Sequence, residues 1–138
     1  LSQLIYGENK PMEKRDAMQY SPLTLAFLGD GVYEQLVREK LVLTANMPVG
    51  KLHALAVKKV RASYQAKAFD LILPVLNSDE EGVLKRGRNA TGNTVPKSSN
   101  PIEYHKATAI ESLFGYLHLI GNKQRIDEIF EIIWNIEE

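Results

Sequence analysis

The stretch that decides the fold of this chain is Leu25-Ala26-Phe27-Leu28-Gly29-Asp30-Gly31-Val32-Tyr33-Glu34. It lies in a run from Leu23 to about Leu43 that has no interior proline. Ser21-Pro22 precedes the run and predicts a helix start, with serine as the N-cap and proline at the first helical position. Asn46-Met47-Pro48 predicts where the helix ends. The apolar residues of the run recur at the spacing of one helix face: Leu25, Leu28, Val32 and Leu36.

The aspartate of this stretch, Asp30, is a charged residue in an apolar part of the predicted helix. At about 100° per residue, Asp30 falls inside a second apolar sector of the helix. That sector consists of Ala26, Tyr33, Val37 and Leu41. The helix is therefore apolar over most of its circumference, and we expect it to be central and buried. Because a carboxylate is costly to desolvate, Asp30 then needs a cation, a hydrogen-bond network or a solvent-filled cleft.

The rest of the chain predicts further helices and no convincing strand. A loop rich in Gly, Thr, Asn and Ser covers residues 90–99. The helices are expected from about Val49 to Leu76 in one or two pieces, from Ser78 to about Arg86, from Asn100-Pro101 to about Ile120, and from about Lys123 to Ile136. We therefore predict a nearly all-α fold, with residues 1–20 as an irregular N-terminal leader and residues 21–138 as one domain.

Glu111 is a second carboxylate that needs a partner, and it lies on the helix that starts at Asn100-Pro101. Its neighbours one turn away are all small: Ala107, Thr108 and Gly115. A strip of small residues lets another helix or a ligand approach the backbone closely, and an Mg²⁺ ion between the two acids would offset both desolvation costs. The alternative is that each acid caps a backbone group or pairs with a Lys or Arg. For Glu34 we expect such a pair, with Arg38 at i+4.

Composition limits the class of protein and the kind of metal site. The chain has 138 residues, of which 44% are hydrophobic and 25% charged, as expected for one globular domain with its own core. It has no cysteine, which excludes a disulfide framework, a thiolate zinc site and a cysteine nucleophile. Any metal should therefore be held by oxygen ligands, which favours Mg²⁺ or Mn²⁺. Neither a membrane span nor a secretion signal is visible, so we expect a soluble, cytoplasmic protein.

A nucleic-acid-binding surface would have to be a local patch. The chain has 17 Lys plus Arg and 17 Asp plus Glu, so its formal net charge is zero. Lys85, Arg86 and Arg88 precede the 90–99 loop, and Lys97 lies near its end. Basic side chains beside flexible backbone can follow phosphates, so these four are the candidate RNA-binding residues. A second basic run is interpreted mainly as a solvated helix face: Lys58, Lys59 and Arg61.

Three segments, taken in order, resemble the ribonuclease III family. They are residues 25–34, residues 83–90 followed by Thr94-Val95-Pro96-Lys97, and residues 108–117. Together they are most similar to the bacterial Mini-ribonuclease III branch, which has a catalytic domain and no double-stranded-RNA-binding domain. The resemblance covers residues 21–136. It implies a ribonuclease III endonuclease-domain-like helical bundle that forms a homodimer, binds duplex RNA in a valley and cuts one strand per subunit.

The resemblance also implies roles for individual residues. By position, Asp30 and Glu111 match the two acids that bind Mg²⁺ and are required for cleavage, with Mn²⁺ as a substitute. Ala26 and Thr108 stand where full-length ribonuclease III has two further acids. The implied reaction is hydrolysis of a phosphodiester to 5′-phosphate and 3′-hydroxyl ends. The implied substrate is the precursor of large-subunit (23S) ribosomal RNA.

Three other interpretations remain open from the sequence. The first is a catalytically inactive ribonuclease III-like module that binds RNA or a protein partner, and the presence of both Asp30 and Glu111 argues against it. The second is a helical protein-interaction domain with structural acids, which predicts neither stabilisation by Mg²⁺ nor affinity for duplex RNA. The third is a helical nucleotide phosphohydrolase, for which no clustered Glu-x-x-Glu ligand set is found on one helix.

Overall fold

A computed structural model describes residues 10–92 and 94–137, and this part of the chain contains helices and no strand. The α-helices are α1 Lys14–Ala17, α2 Pro22–Thr44, α3 Val49–Val60, α4 Ala62–Ile72, α5 Ser78–Arg88, α6 Pro101–Leu119 and α7 Lys123–Trp134. A turn of 3-10 helix, Leu73–Val75, follows α4. The predicted all-α fold is confirmed. Within the described ranges, no helix combines the length and the hydropathy that a membrane span requires.

The helix ends follow the sequence signals with small differences. α2 begins at Pro22 after Ser21, as predicted, although the serine side chain makes no capping hydrogen bond. α5 begins at Ser78, and its N-cap is Asn77, which forms a capping box with Glu80. α7 ends at Trp134, two residues before the predicted end. Gly121 follows α6 with φ 71°, a left-handed conformation that glycine adopts without strain.

The central helix of the bundle is α6, and not α2 as expected. α2, α4 and α5 all pack against α6. The buried residues of α6 form an almost continuous run: Ala107, Thr108, Ala109, Ile110, Ser112, Leu113, Phe114, Gly115, Tyr116 and Leu117. α2 buries one side only, made up of Leu25, Ala26, Gly29, Tyr33, Val37 and Leu41. α6 has small residues on several faces, so other helices can pack closely against each of these faces. α2 has a small residue mainly on the face that contacts α6.

The prediction that α2 is buried over most of its circumference is therefore wrong. Leu28, Val32 and Leu36 are only half-buried. Phe27 is 86% exposed, so the outer side of α2 has a large apolar side chain among residues that are mostly polar. The second sector of the helix faces the core instead, because it contains Gly29, which has no side chain to hold the two helices apart.

α2 and α6 cross at very close range. A Cβ atom at Gly29 would overlap the backbone carbonyl of Glu111, and a Cβ atom at Gly115 would overlap the carbonyl of Leu25. The hydroxyl of Ser112 donates a 2.9 Å hydrogen bond to the carbonyl of Pro22 in the same crossing. This confirms that the small residues around Glu111 admit another helix. The crossing brings Glu111 beside the residue that follows Gly29.

Part of the predicted irregular leader is ordered. Residues 14–17 form the one-turn helix α1, whose Ala17 is completely buried. The backbone N–H of Met12 donates a 2.8 Å hydrogen bond to the carbonyl of Leu119 at the end of α6. Residues 1–9 of the leader lie outside the described residues. The division of the chain into a leader and a domain stays a prediction.

Polar groups tie α7 to the bundle at both ends. Arg125 forms a 2.8 Å ion pair with the buried carboxylate of Glu80 and donates to the carbonyl of Val75. At the other end, the ammonium group of Lys59 lies over the rings of Tyr64 and Trp134. The interpretation of residues 58–61 as a solvated face is thus wrong for Lys59, because its ammonium group also donates hydrogen bonds to the Tyr64 hydroxyl and the Trp134 carbonyl.

Candidate active site

The structure brings together the two acids that the sequence singles out. Asp30 on α2 and Glu111 on α6 lie side by side where the helices cross, close enough for Asp30 to raise the pKa of Glu111. The contact of Gly29 with the backbone of Glu111 sets this proximity, because Asp30 is the next residue on α2. Two residues far apart in the chain therefore form one small acidic site.

The two acids differ in burial. Asp30 is exposed, which corrects the expectation that it is buried, and Glu111 is partly buried. Gly29 meets the backbone of Glu111 directly, whereas Asp30, the next residue on α2, is open to solvent. Asp30 therefore lies at the rim of the contact and Glu111 further inside. One acid of the pair is open to solvent, so a ligand can reach the site without any movement of the helices.

The environment makes ionisation of Glu111 unfavourable. Burial raises its pKa from 4.5 to about 8, with further increases from the charge of Asp30 and from their hydrogen bond. An interaction with the amide of Gln65 acts in the opposite direction and lowers the pKa. Two neighbouring carboxylates in a partly desolvated site repel each other unless a proton or a cation lies between them.

These donors fit a small, hard divalent cation. Carboxylate oxygens are preferred ligands of Mg²⁺, which binds through one or two carboxylates and keeps several water ligands. Within residues 10–92 and 94–137, no group of three or more His, Cys, Asp or Glu side chains could hold a metal ion. Asp30 and Glu111 would thus be the protein ligands, with water and substrate phosphate completing the coordination. Such a cation would remove the repulsion that raises the pKa of Glu111.

Two neighbouring positions do not enlarge this acidic site. Ala26, one turn before Asp30, is nearly buried and has no ligand atom in its side chain. Thr108, three residues before Glu111, uses its hydroxyl to donate a 3.1 Å hydrogen bond to the carbonyl of Tyr104. Glu34 forms the expected exposed pair with Arg38, at 3.1 Å, and is not part of the site.

Tyr33 forms a rigid support behind the acids. It follows Asp30 by nearly one turn of α2, and its hydroxyl donates a 2.6 Å hydrogen bond to the carbonyl of Lys59. Its ring packs edge-to-face on Phe114 of α6, with ring centroids 5.5 Å apart. Burial raises the pKa of Tyr33 well above its usual range, with smaller contributions from Tyr64 and Glu111. The phenol therefore stays neutral and fixes α2 against α3 and α6.

The sequence analysis missed Gln65, whose side chain is buried at the first turn of α4. Its amide interacts with Glu111, as described above. A sequence signal for it exists. Residues 65, 68, 69 and 72 lie on one helix face, and the other three are apolar and buried. A lone carboxamide on such a face needs a polar partner.

The predicted RNA-binding residues lie near the site but make separate contacts. Lys85 pairs with Glu81 at 2.9 Å. Arg86 donates to the carbonyl of Met18, and Arg88 lies over the ring of Phe69. Lys97 is exposed in the loop before α6.

The helix that carries three of these basic residues is α5, which packs closely on α6. A Cβ atom at Gly87 would come within 2.9 Å of atoms of Ala109 and Ser112. The basic last turn of α5 is therefore next to the part of α6 that carries Glu111. That these residues bind RNA stays a prediction.

Comparisons with known proteins give a consistent result. A family model described as the ribonuclease III domain matches residues 23–122. Among curated proteins, a Mini-ribonuclease 3 of Symbiobacterium thermophilum is 41% identical over 120 residues, which are 87% of this chain and 92% of that protein. A Mini-ribonuclease 3 of Desulfitobacterium hafniense is 44% identical over 117 residues, which are 85% and 74% of the two proteins.

A solved structure is similar as well. The crystal structure of a protein from Fusobacterium nucleatum superposes with a TM-score of 0.77 and 31% sequence identity. The match covers 83% of this chain and 93% of that chain. The range matched by the family model, residues 23–122, includes both Asp30 and Glu111.

Proposed function

The chain belongs to the ribonuclease III family and is an endoribonuclease of the Mini-ribonuclease 3 type. We propose that it cleaves double-stranded RNA by metal-dependent hydrolysis, with Asp30 and Glu111 holding the metal. The observation that carries the proposal is the pair itself. Asp30 and Glu111 come from two helices, and burial together with the nearby Asp30 raises the pKa of Glu111 to about 8. Neighbouring acids with a perturbed pKa at a solvent-accessible position are typical of a ligand-binding or catalytic site.

The two acids have distinct tasks in this proposal. Asp30, open to solvent, and Glu111, held by the packing of α6, would hold the cation together, Glu111 after the loss of its proton. When bound, Mg²⁺ would neutralise charge on the scissile phosphate and lower the pKa of a bound water molecule. Mn²⁺ has the same ligand preference and would substitute. In the net reaction, water adds to phosphorus and the P–O3′ bond breaks, which leaves 5′-phosphate and 3′-hydroxyl ends.

The proposed RNA contacts are Lys85, Arg86, Arg88 and Lys97. Support comes from their positive charge, the exposure of Lys85, Arg86 and Lys97, and the packing of α5 on α6 through Gly87. Duplex RNA is recognised mainly through its backbone and shape, so a basic turn beside a polar loop suits it. Because the chain as a whole is electrically neutral, binding should depend on this local patch.

We propose further that the active form is a homodimer. Several large apolar side chains on the outer sides of α2 and α3 are exposed: Phe27 at 86%, Leu43 at 84%, Val49 at 68%, Val42 at 60% and Val57 at 58%. A second copy of the chain would cover such a surface. Two-fold symmetry would also present one acidic site to each strand of a duplex.

The proposed biological substrate is the precursor of 23S ribosomal RNA in the bacterial cytoplasm. Support for this step is the family resemblance alone. A catalytically inactive RNA-binding module remains the alternative, and the presence of the complete Asp30–Glu111 pair argues against it.

The decisive experiment is a cleavage assay on end-labelled duplex RNA with Mg²⁺, with Mn²⁺ and with EDTA. We expect both strands to be cut with either metal, and neither with EDTA. Single-stranded RNA of the same sequence should stay intact, and the products should be ligatable through their 5′-phosphates. Binding of duplex RNA without cleavage under all metal conditions would favour the inactive module. Cutting a 23S precursor transcript at one discrete duplex position would support the ribosomal substrate, and scattered cuts would contradict it.

A further inference from the structure

Gln65 lies at the junction of α3 and α4 and is almost completely buried, with 3% of its surface exposed. Its backbone N–H bonds to the carbonyl of Arg61 as part of the first turn of α4. Its side-chain nitrogen Nε2 donates a 2.8 Å hydrogen bond to the carbonyl of Val60, the last residue of α3. One hydrogen of the amide is therefore committed to the helix junction, and the side chain has a fixed orientation.

The other interaction of this side chain is with Glu111. α4 packs against α6, and the interaction of the Gln65 amide with the Glu111 carboxyl group favours the ionised form of Glu111 and lowers its pKa. A carboxamide nitrogen has two hydrogens, so the bond to Val60 leaves the second hydrogen available to Glu111. Gln65 thus links the α3–α4 junction to the acid that lies deeper in the site.

The oxygen of the same amide has no partner. Gln65 Oε1 is buried and accepts no hydrogen bond from any residue in the described part of the chain. A buried carbonyl oxygen without a donor is uncommon and unfavourable. Because Oε1 and Nε2 share the atom Cδ, this free acceptor lies in the immediate surroundings of the Glu111 carboxyl group.

We propose that Gln65 is a positioning residue of the acidic site, which orients the Glu111 carboxylate through Nε2 and accepts, through Oε1, a hydrogen bond from water bound to a divalent cation. The inference rests on the proposed function, since it assumes that Asp30 and Glu111 hold the cation. It explains why a polar side chain occupies a helix face that is otherwise apolar. Residues that orient metal ligands typically change metal affinity or activity by about 10- to 100-fold when they are replaced.

A purely structural role for Gln65 gives a different result. If the side chain only joins α3 to α4, its replacement lowers stability and leaves metal binding unchanged. Tyr64 provides the matched control, because it lies in the same turn, is equally buried and bonds through its hydroxyl to the carbonyl of Ile133 on α7. Tyr64→Phe removes a polar contact beside the junction and leaves the Glu111 amide interaction in place.

The test compares Gln65→Leu and Tyr64→Phe with the unmodified protein. The first readout needs no RNA: the rise in melting temperature as Mn²⁺ is added, which reports the metal affinity of the folded state. The second is the Mg²⁺ concentration that gives half-maximal cleavage of duplex RNA, measured separately from kcat at saturating Mg²⁺. For Gln65→Leu we expect about a tenfold or greater increase in both metal requirements. For Tyr64→Phe we expect a lower melting temperature and an unchanged metal requirement.

The outcomes separate this inference from the proposed function. Normal metal dependence in Gln65→Leu, with cleavage by the unmodified protein, overturns the positioning role alone. A Gln65-dependent response to Mn²⁺ without any cleavage supports the positioning role and contradicts the nuclease proposal. No response to Mn²⁺ in the unmodified protein overturns both. If Gln65→Leu does not fold, Gln65→Asn keeps the amide but shortens its reach, and the same increase in metal requirement is expected of it.

Discussion

At the scale of single residues, the site depends on the cost of placing two carboxylates together. Asp30 is exposed and Glu111 is partly buried, so most of that cost is carried by Glu111, whose pKa is raised to about 8. A cation offsets this cost, as does a proton, and the two compete for the same place. The behaviour of each acid on its own can therefore be predicted.

Asp30→Asn should abolish cleavage and leave the fold intact. Asparagine keeps the shape of the side chain but removes the charge that a divalent cation needs, and the exposed position tolerates the change. The measurement is the single-turnover cleavage rate at saturating Mg²⁺, with circular dichroism as the folding check. Glu34→Gln is the control, because Glu34 lies on the same helix and pairs only with Arg38. Near-normal cleavage by Asp30→Asn would show that the metal is held elsewhere.

Glu111→Gln should change how stability depends on pH. Between the ordinary value of 4.5 and the folded-state pKa of about 8, the folded protein keeps a proton on Glu111 that the unfolded chain has lost. The free energy of unfolding contributed by this group therefore falls as pH rises through that window. Glutamine does not titrate, so the variant should lack this loss.

The measurement is urea unfolding in EDTA at about pH 5 and about pH 9. We expect the variant to gain stability relative to the unmodified protein at the higher pH, and to show a smaller difference at the lower pH. An equal difference between the two proteins at both pH values would mean that the pKa of Glu111 is not raised. Mg²⁺ should stabilise the unmodified protein at the higher pH and the variant much less.

At the scale of the helices, the crossing of α2 and α6 sets the geometry of the site. Gly29 and Gly115 let the two backbones meet, and Ser112 bonds to the carbonyl of Pro22 in the same contact. The last turn of α5 packs on α6 through Gly87 and carries the basic residues Lys85, Arg86 and Arg88. Changes in these contacts should affect cleavage without touching either acid.

Gly29→Ala should be strongly destabilising and should reduce cleavage. The added methyl group would overlap the backbone carbonyl of Glu111, so α2 and α6 must move apart. Overpacking typically costs about 1–3 kcal/mol and more where backbone is displaced. Gly82→Ala in α5 is the control, since a Cβ there meets nothing within 4 Å, and it should stabilise by up to about 1 kcal/mol. Chemical denaturation measures both variants, and equal effects would contradict the close crossing.

Lys85→Gln combined with Lys97→Gln should weaken duplex binding and make it less sensitive to salt. Each lost phosphate contact lowers counterion release, so the slope of log affinity against log salt should fall by about one unit per contact. Both side chains are exposed, and the described partner of Lys85 is Glu81 in the same helix, so the fold should be unaffected. Lys123→Gln on α7 is the control. An unchanged slope in the double variant would place the RNA-binding surface elsewhere.

At the scale of the whole molecule, the bundle leaves several large apolar side chains of α2 and α3 exposed. α6 takes the central position, so α2 buries one side and presents the other to solvent. Phe27 on that side is 86% exposed, and Val57 on α3 is 58% exposed. An apolar surface beside the candidate site suits an interface with a second copy, which would bring two sites together.

Phe27→Ser should shift the protein from dimer to monomer. A large aromatic side chain that is solvated in one chain contributes strongly to association when it is buried in an interface. Sedimentation at micromolar concentration should give about twice the 15.5 kDa mass for the unmodified protein and a lower average for the variant. Leu71→Ser, at an exposed apolar position on α4, is the control. A single 15.5 kDa species for the unmodified protein would refute the dimer.

The amino-acid sequence by itself determined the helical fold, the approximate ends of the helices and the identity of the two acids. These follow from local signals: apolar spacing, Ser21-Pro22 and Asn100-Pro101 at helix starts, and Asp30 and Glu111 at positions where a charge is not expected. Each signal lies within a few residues of the chain, so it can be read without knowing how distant segments pack.

Only the tertiary structure decided which side of α2 is buried, that α6 is central, that Asp30 is exposed and that Gln65 belongs to the site. α2 has two apolar sectors of similar strength, and the choice between them depends on the fit of Gly29 against α6. Likewise, the role of Gln65 depends on its interaction with Glu111, which lies on another helix. Contacts between distant segments depend on steric fit and on desolvation across the helix interfaces. The local spacing of residues in the sequence predicts neither of them.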